Sequence, residues 1–262
     1  MSRAIITLTT DFGLSDHFVG VMKGVILGIN PLARIVDLTH GIEPFEVNQC
    51  AFTLLQAYRY FPKKTIHVSV VDPGVGSARR PILMEAAGQF FVGPDNGLFS
   101  MIAAREKHKV RAITAEKYFL HPVSRTFHGR DVFAPVAAHL SKGVTPASFG
   151  KPIDDYLRLT ATEPMRTDKR TWTGAIMHID RFGNLVSNFH IDDFPQVKTQ
   201  PIRMSVGTEQ IQRLALNYAE CEPGEPFVIV GSSGYLEVAV NQGSAAKMLG
   251  CGVGAPMELT IF

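Results

Sequence analysis

Three loops in this 262-residue chain hold residue types whose spacing suits chemistry. The first, Thr9-Thr10-Asp11-Phe12-Gly13-Leu14-Ser15-Asp16, directly follows an apolar, strand-like run at residues 4–9. In an open α/β sheet, ligands bind beyond the carboxyl ends of the strands, where such a turn sits. A carboxylate there can accept both hydroxyls of a ribose; alternatively, Asp11 or Asp16 caps the helix that follows. The second loop is Val71-Asp72-Pro73-Gly74-Val75-Gly76-Ser77-Ala78-Arg79-Arg80, in which Asp72 ends an apolar strand and the chain turns sharply. The turn can bring Arg79 back to Asp72, keeping that carboxylate charged and oriented, or it is a structural turn with a surface ion pair. The third, Thr126-Phe127-His128-Gly129-Arg130-Asp131, precedes an apolar helix. Asp131 reads as the N-cap of that helix, and His128 is either a proton-handling group or a bystander in the loop.

Two turns in the second half also gather polar groups: Asp180-Arg181-Phe182-Gly183-Asn184 and Gly231-Ser232-Ser233-Gly234-Tyr235-Leu236-Glu237. Each read alone is an ordinary hairpin. The nine histidines show no HExxH or comparable ligand spacing, which disfavours metal catalysis, and no metal site is expected. Neither Gly-x-Ser-x-Gly nor a P-loop Gly-Lys-[Ser/Thr] occurs, and Gly74-Val75-Gly76 lacks the third glycine of a dinucleotide fingerprint.

The elements that must position these loops change character along the chain. Up to about residue 159, strand patterns (4–9, 34–38, 65–71, 89–92) alternate with helical ones (16–28, 45–60 opened by Pro44, 98–104, 131–140). Such alternation predicts a mainly parallel sheet covered on both faces. Short alternating runs follow at 173–180, 185–189, 202–206, 227–230, 235–240 and 257–262, separated by Gly, Pro and Asn. The expected fold class is α/β: an N-terminal, mainly parallel α/β sandwich domain over 1–160, a linker over 161–170, and a smaller C-terminal antiparallel β-barrel domain over 171–262.

Composition narrows the setting. The chain is 45% hydrophobic, enough for a substantial core, and its net charge is only +2. Basic residues occur as the pairs Lys63-Lys64, Arg79-Arg80 and Lys169-Arg170 rather than as a stripe, so a nucleic-acid partner is not expected. Cys50, Cys221 and Cys251 are odd in number and far apart, which suits buried thiols in a reducing compartment. No run approaches the roughly 20 apolar residues of a membrane helix, and the first strand is too short for a secretory segment. A cytoplasmic protein with no membrane partner is expected.

Taken in order, the motifs resemble one family, the S-adenosylmethionine (SAM) hydrolases or SAM hydroxide adenosyltransferases, relatives of the fluorinase and chlorinase. The match runs through Thr9-Thr10-Asp11-Phe12-Gly13, Val71-Asp72-Pro73-Gly74-Val75-Gly76, Gly93-Pro94-Asp95-Asn96-Gly97 and Phe127-His128-Gly129-Arg130-Asp131, and continues to Asp180-Arg181-Phe182-Gly183-Asn184 and Ser232-Ser233-Gly234-Tyr235-Leu236-Glu237. The resemblance implies a homotrimer whose substrate lies between one subunit's first domain and its neighbour's second. It places the family's hydrolytic aspartate, arginine and histidine on Asp72, Arg79 and His128, with Arg80 a rival for the arginine. It places the ribose-binding aspartate on Asp11, the residue near the methionine ammonium on Asp16, and an aromatic beside the sugar on Phe45. From the second domain it implies substrate contacts by Asp180, Asn184, Ser232, Ser233, Glu237 and Val240, and stacking of Tyr218 on adenine. The halogenases resemble this chain less at three places. They carry a tyrosine at the position of Asp72, and the fluorinase lacks a histidine at His128 and has an arginine at Ser233.

Proton accounting favours water as the nucleophile. The sulfonium of SAM leaves ribose C5′ as a neutral thioether, so no general acid is needed, and SAM is a substrate rather than a cofactor. No other cofactor is expected. Attacking water must lose a proton whereas a halide need not, and a carboxylate at the nucleophile's place repels an anion. The implied reaction is hydrolysis of SAM to adenosine and L-methionine. The alternatives are a chlorinase-like halogenase and a non-catalytic adenosine-binding module.

Overall fold

A computed structural model describes residues 4–159 and 163–262. The chain forms two compact units, 1–160 and 161–262, in a mixed α/β fold with two sheets. The first unit contains β1 (Ile5–Thr10), α1 (Phe18–Ile29), β2 (Arg34–Thr39), α2 (Val47–Ala57), β3 (Ile66–Val70), β4 (Pro81–Ala86), β5 (Gln89–Pro94), α3 (Ser100–Ala103), β6 (His108–Ala112), α4 (Ala134–Ser141) and β7 (Pro152–Ile153). Its strands lie in the order β2-β1-β3-β5-β4-β6-β7.

The sheet is parallel only from β2 to β5; the pairs β5-β4, β4-β6 and β6-β7 are antiparallel. The expectation of a mainly parallel sheet therefore needs correcting. Ala87 and Gly88, both at positive φ, join β4 to β5 in a two-residue hairpin, and such a loop can join only antiparallel strands. Every residue of β3 is buried, as a strand covered on both faces requires. On one face α1 and α4 pack with Ile6, Leu8, Met22 and Phe133; on the other, Cys50 and Leu54 of α2 pack with Phe91 and Phe99.

The chain leaves β1 to one side to form β2 and returns to the other side to form β3. The carboxyl end of β1 is thus a topological switch point, where open α/β sheets bind ligands. Thr10 pairs with Val70, so Asp11 and Asp72 leave the same edge of the sheet on adjacent strands.

Helix boundaries shift from the predicted ones for local reasons. Helix α2 starts at Val47 because Phe45 sits at φ 71°, outside helical space, so Pro44 does not open the helix. The helix predicted at 131–140 is a π-helical turn, Gly129–Phe133, running into α4.

The second unit contains β8 (Met165–Asp168), β9 (Thr171–Ile179), β10 (Leu185–His190), β11 (Ile202–Val206), β12 (Glu209–Ile211), β13 (Leu214–Ala215), β14 (Pro226–Val230), β15 (Tyr235–Val240), α5 (Ala245–Leu249) and β16 (Pro256–Ile261). The main path is β12-β11-β16-β9-β10-β15-β14-β13, with β8 on β9. The sheet curls into a half-barrel that brings β12 against β14 around Leu185, Phe189, Leu236, Val238 and Leu259. All its pairs are antiparallel except β13-β14. Strand β8 lies within the stretch read as linker. All four of its side chains are exposed, so it has no apolar alternation to reveal it. The three thiols are free, Cys50 and Cys221 buried and Cys251 half-buried. Among the described residues no helix is long and apolar enough to cross a membrane.

Candidate active site

A cleft of about 310 Å³ opens at the switch point, lined by Asp11, Phe45, Asp72 and His128 together with Phe12, Phe18, Val75 and Phe127. Sequence reasoning singled out the first four. It missed the aromatic floor, in which Phe12, Phe18 and Phe127 pack with centroids 5.3 to 5.9 Å apart. Their helical or strand-end spacing marks them only as core residues.

Asp72 and His128 are joined by Arg79. The guanidinium donates from Nε to Asp72 Oδ1 at 2.9 Å and from Nη2 to Asp72 Oδ2. Nη2 also lies 2.8 Å from His128 Nδ1. The side chains of Asp72 and Arg79 are 5% and 9% exposed, so the pair is shielded from solvent rather than a surface ion pair. Arg79 also lies over the Phe133 ring, 5.3 Å from its centroid. A guanidinium has donors only, so His128 Nδ1 must accept, and the proton of the neutral ring sits on Nε2. Burial, and then the charge of Arg79, pull His128 below the ordinary histidine range, which favours this neutral form.

Arg80 faces elsewhere. It bonds Asp95 through Nε and Nη2 at 3.0 and 2.8 Å and Asp155 through Nη1 at 2.9 Å. Asn96 donates to the carbonyl of Val71 at 2.8 Å, so the Gly93-Pro94-Asp95-Asn96-Gly97 motif supports the approach to Asp72 from behind.

Backbone packing brings the second and third loops together. Gly76 sits at φ 76°, and a Cβ there would lie 2.2 Å from the Arg125 carbonyl oxygen, so only glycine admits this approach. Asp131 is not the helix N-cap. Its buried carboxylate turns back to accept the Ser124 N–H at 2.8 Å and binds Arg130, pinning the loop that presents His128. The π-helical turn next to His128 belongs to a class of distortion frequent at functional sites.

Neither Asp11 nor Asp16 caps α1. Asp11 Oδ2 accepts the Phe45 N–H at 3.0 Å, holding a bulky residue in left-handed backbone space. Such a conformation costs about 1–3 kcal/mol and persists only where its surroundings impose it. The Phe45 ring is 69% exposed at the cleft. Asp16 is exposed and lies outside the cleft lining.

The second unit holds its own cleft, about 430 Å³, lined by Phe182, Asn184, Tyr218, Val240, Gln242 and Gly243. Asn184 Nδ2 donates to Asp180 Oδ2 at 2.8 Å and to the Tyr218 hydroxyl at 3.1 Å. Asp180 Oδ1 accepts the N–H groups of Phe182 and Asn184, each at 2.9 Å, which shapes the turn. Burial, and then the charge of Asp180, push Glu237 up to about 7. Glu237, Ser232 and Ser233 lie outside this lining, the two serines in the turn between β14 and β15. Phe182 and Gln242 were not foreseen; Gln242, at φ 53°, carries no sequence signal for that backbone.

A buried carboxylate–guanidinium–imidazole chain at the carboxyl edge of an α/β sheet, opening into an aromatic cleft, is the arrangement of a small-molecule enzyme site. Comparison with known proteins specifies the kind. The SAM hydroxide adenosyltransferase N-terminal domain family matches residues 6–150, and the corresponding C-terminal domain family matches residues 174–258. The chain belongs to the SAM hydroxide adenosyltransferase family.

It is 37% identical to an (R)-S-adenosyl-L-methionine hydrolase of Salinispora tropica, over 97% of each chain. It is 38% identical to one of Methanocaldococcus jannaschii, over 94% of this chain and 91% of the relative. A fluorinase of an Actinoplanes species is more distant, at 26% identity over 98% and 97%. The crystal structure of an uncharacterized conserved protein from Thermotoga maritima superposes with a TM-score of 0.92 and 37% identity, over 97% of this chain and 99% of that one.

Proposed function

We infer that the protein is an enzyme that hydrolyses S-adenosylmethionine to adenosine and L-methionine by in-line attack of water at ribose C5′. One observation carries the mechanism: Asp72 and His128 both line the cleft, while Arg79 holds them from behind. With its proton on Nε2, His128 donates to the oxygen of the attacking water. Asp72 accepts one of that water's protons as the C–O bond forms and the C–S bond breaks. A weak base suffices, because water becomes strongly acidic as it adds to carbon. Methionine departs as a neutral thioether, the water proton is released, and the reaction calls for no cofactor. Arg79 supplies orientation, fixing the carboxylate and the imidazole tautomer together.

Asp11 is assigned to the ribose hydroxyls and Phe45 to the face of the sugar, with Asp16 the candidate for the methionine ammonium. Asn184, Tyr218 and Val240, with Asp180 backing Asn184, are assigned to the rest of the substrate together with Ser232, Ser233 and Glu237. In this reading the curled sheet is a barrel domain, and the two half-sites meet between subunits of a homotrimer in the cytoplasm. The exposed rings of Phe45 and Phe182, 69% and 77% accessible, support such burial. Turnover in ¹⁸O-labelled water, with and without chloride, tests the reaction. Adenosine should carry the label in its 5′-hydroxyl under both conditions. Formation of 5′-chloro-5′-deoxyadenosine without adenosine would replace the hydrolase by a halogenase.

A further inference from the structure

A buried imidazole stands behind the cleft, at the root of the loops carrying Asp11 and Phe45. His40 directly follows β2 and is 5% exposed. Its Nδ1 lies 2.8 Å from Thr10 Oγ1. Its Nε2 lies 3.1 Å from Asp37 Oδ1, a contact bent away from an ideal hydrogen bond. Asp37 Oδ2 takes the Lys23 ammonium at 2.6 Å. Burial pushes the Asp37 carboxyl up, but Lys23 and His40 outweigh it and hold the group below its usual range.

A charged carboxylate only accepts, so Asp37 draws the ring proton to Nε2 and leaves Nδ1 to accept from the Thr10 hydroxyl. With its own proton committed, that hydroxyl presents its oxygen to the Phe12 N–H at 3.2 Å. Asp11 sits between those two residues. The His40 carbonyl accepts the Gly13 N–H at 2.8 Å, and the Phe45 N–H closes the circuit on Asp11 Oδ2. Every bond in this chain restrains the peptide units on either side of Asp11.

We propose that His40 is a positioning residue for substrate binding, fixing the Asp11 carboxylate through the Thr10 hydroxyl. The proposal rests on the assignment of Asp11 to the ribose hydroxyls. It differs from simple filling of a buried space because only one end of the imidazole, Nδ1, transmits the effect.

Two substitutions separate the ends. In His40→Asn the amide oxygen overlays Nδ1 and still takes the Thr10 proton. His40→Gln reaches toward Asp37 and matches the histidine volume better, but leaves Thr10 without its acceptor. Adenosine affinity by calorimetry and the kcat and KM of SAM hydrolysis are the readouts. His40→Asn should stay within about threefold of wild type, while His40→Gln and Thr10→Val should each bind adenosine about tenfold more weakly, with the larger change in KM. The double variant His40→Gln/Thr10→Val should be no worse than either single, since both break one link.

The reverse ranking, with Gln better than Asn, would show that volume rather than the hydrogen bond matters and overturn the proposal. So would additive losses in the double variant, or wild-type binding in Thr10→Val; this last arm decides the matter if His40→Gln fails to fold. Wild-type protein that binds adenosine without cleaving SAM would remove the hydrolase reading and leave this one standing. Absence of both adenosine binding and SAM cleavage would overturn both.

Discussion

The two clefts use their polar atoms in opposite ways. In the first unit two polar side chains at the cleft are tied to a buried cation: Asp72 and His128 both bond Arg79. In the second unit the lining is two amides, a phenol and apolar groups, and the carboxylates Asp180 and Glu237 stand behind or outside it. A group tied to a fixed charge has a defined proton inventory, which is what a reacting centre needs. An amide and a phenol recognise shape and hydrogen-bonding edges without changing charge. On the proposed function the difference implies a division of labour in which the pair tied to Arg79 reacts, while Asp11 and Phe45 beside it and the second unit recognise. Substitutions of Asp72 and His128 should therefore strike kcat, and those in the second unit KM.

The sharpest way to break that division is Asp72→Asn, which keeps the shape and removes the charge. Turnover should fall by about 10³, within the range of lost acid–base catalysis, while adenosine affinity by calorimetry stays close to wild type. Equal losses of turnover and affinity would mean that Asp72 itself serves recognition rather than the reacting step. A wild type that binds adenosine but never cleaves SAM would establish the non-catalytic module instead.

The next largest effect concerns the proton on His128. If Nε2–H orients water, His128→Gln, whose amide reaches the same place as a donor, should keep kcat within about tenfold of wild type, and His128→Ala should lose about 10²–10³. The pH profile sharpens this result. Protonating Nδ1 would set two donors, His128 and Arg79, against each other, so wild-type kcat should decline on the acid side, below the ordinary histidine range. That limb should vanish in His128→Gln. A glutamine variant as inactive as the alanine one would make His128 the base.

Much of the first site was legible because its residues sit at strand ends, where apolar runs stop and carboxylates begin: Asp11 after β1 and Asp72 after β3. What could not be read depends on residues far along the chain. Arg80 is held away from Asp72 by Asp95 and by Asp155, which lies 75 residues beyond it. Asp131 looked like a cap because it precedes an apolar helix, yet it serves the preceding loop. Strand β8 escaped notice because an exposed edge strand has no apolar face, and β4 because a charged, half-buried residue interrupts it at Glu85. Phe45 in left-handed space is invisible to any pattern, since its conformation is imposed by Asp11 across 34 positions.

In the second cleft the effects should be smaller and of another kind. Tyr218→Ala should raise KM for SAM about tenfold, the scale of losing one stacked base at about 1–3 kcal/mol, with kcat changed less. Tyr218→Phe should cost less than that, because it removes only the hydroxyl that accepts from Asn184 at 3.1 Å. A fall in kcat without a change in KM would carry the reacting role into the second unit and break the comparison.

The smallest effect is thermal, and it tests whether charge in the second unit burdens the fold. Glu237 is held at about 7 by burial and then by the charge of Asp180, well above an unfolded glutamate. Its carboxyl thus keeps a proton in the folded chain where the unfolded chain has released one, so the stability it contributes is full below the unfolded value and is lost as pH rises through about 7. A glutamine at this position cannot ionise and escapes that loss. Partial exposure screens the effect, so Glu237→Gln should raise Tm by only about 2–4 °C near pH 8, with the advantage fading toward pH 5. Calorimetric melting at both pH values decides the matter. An advantage that is the same at both would mean that Glu237 is ionised in the fold, and the second unit would then hold a working charge like the first.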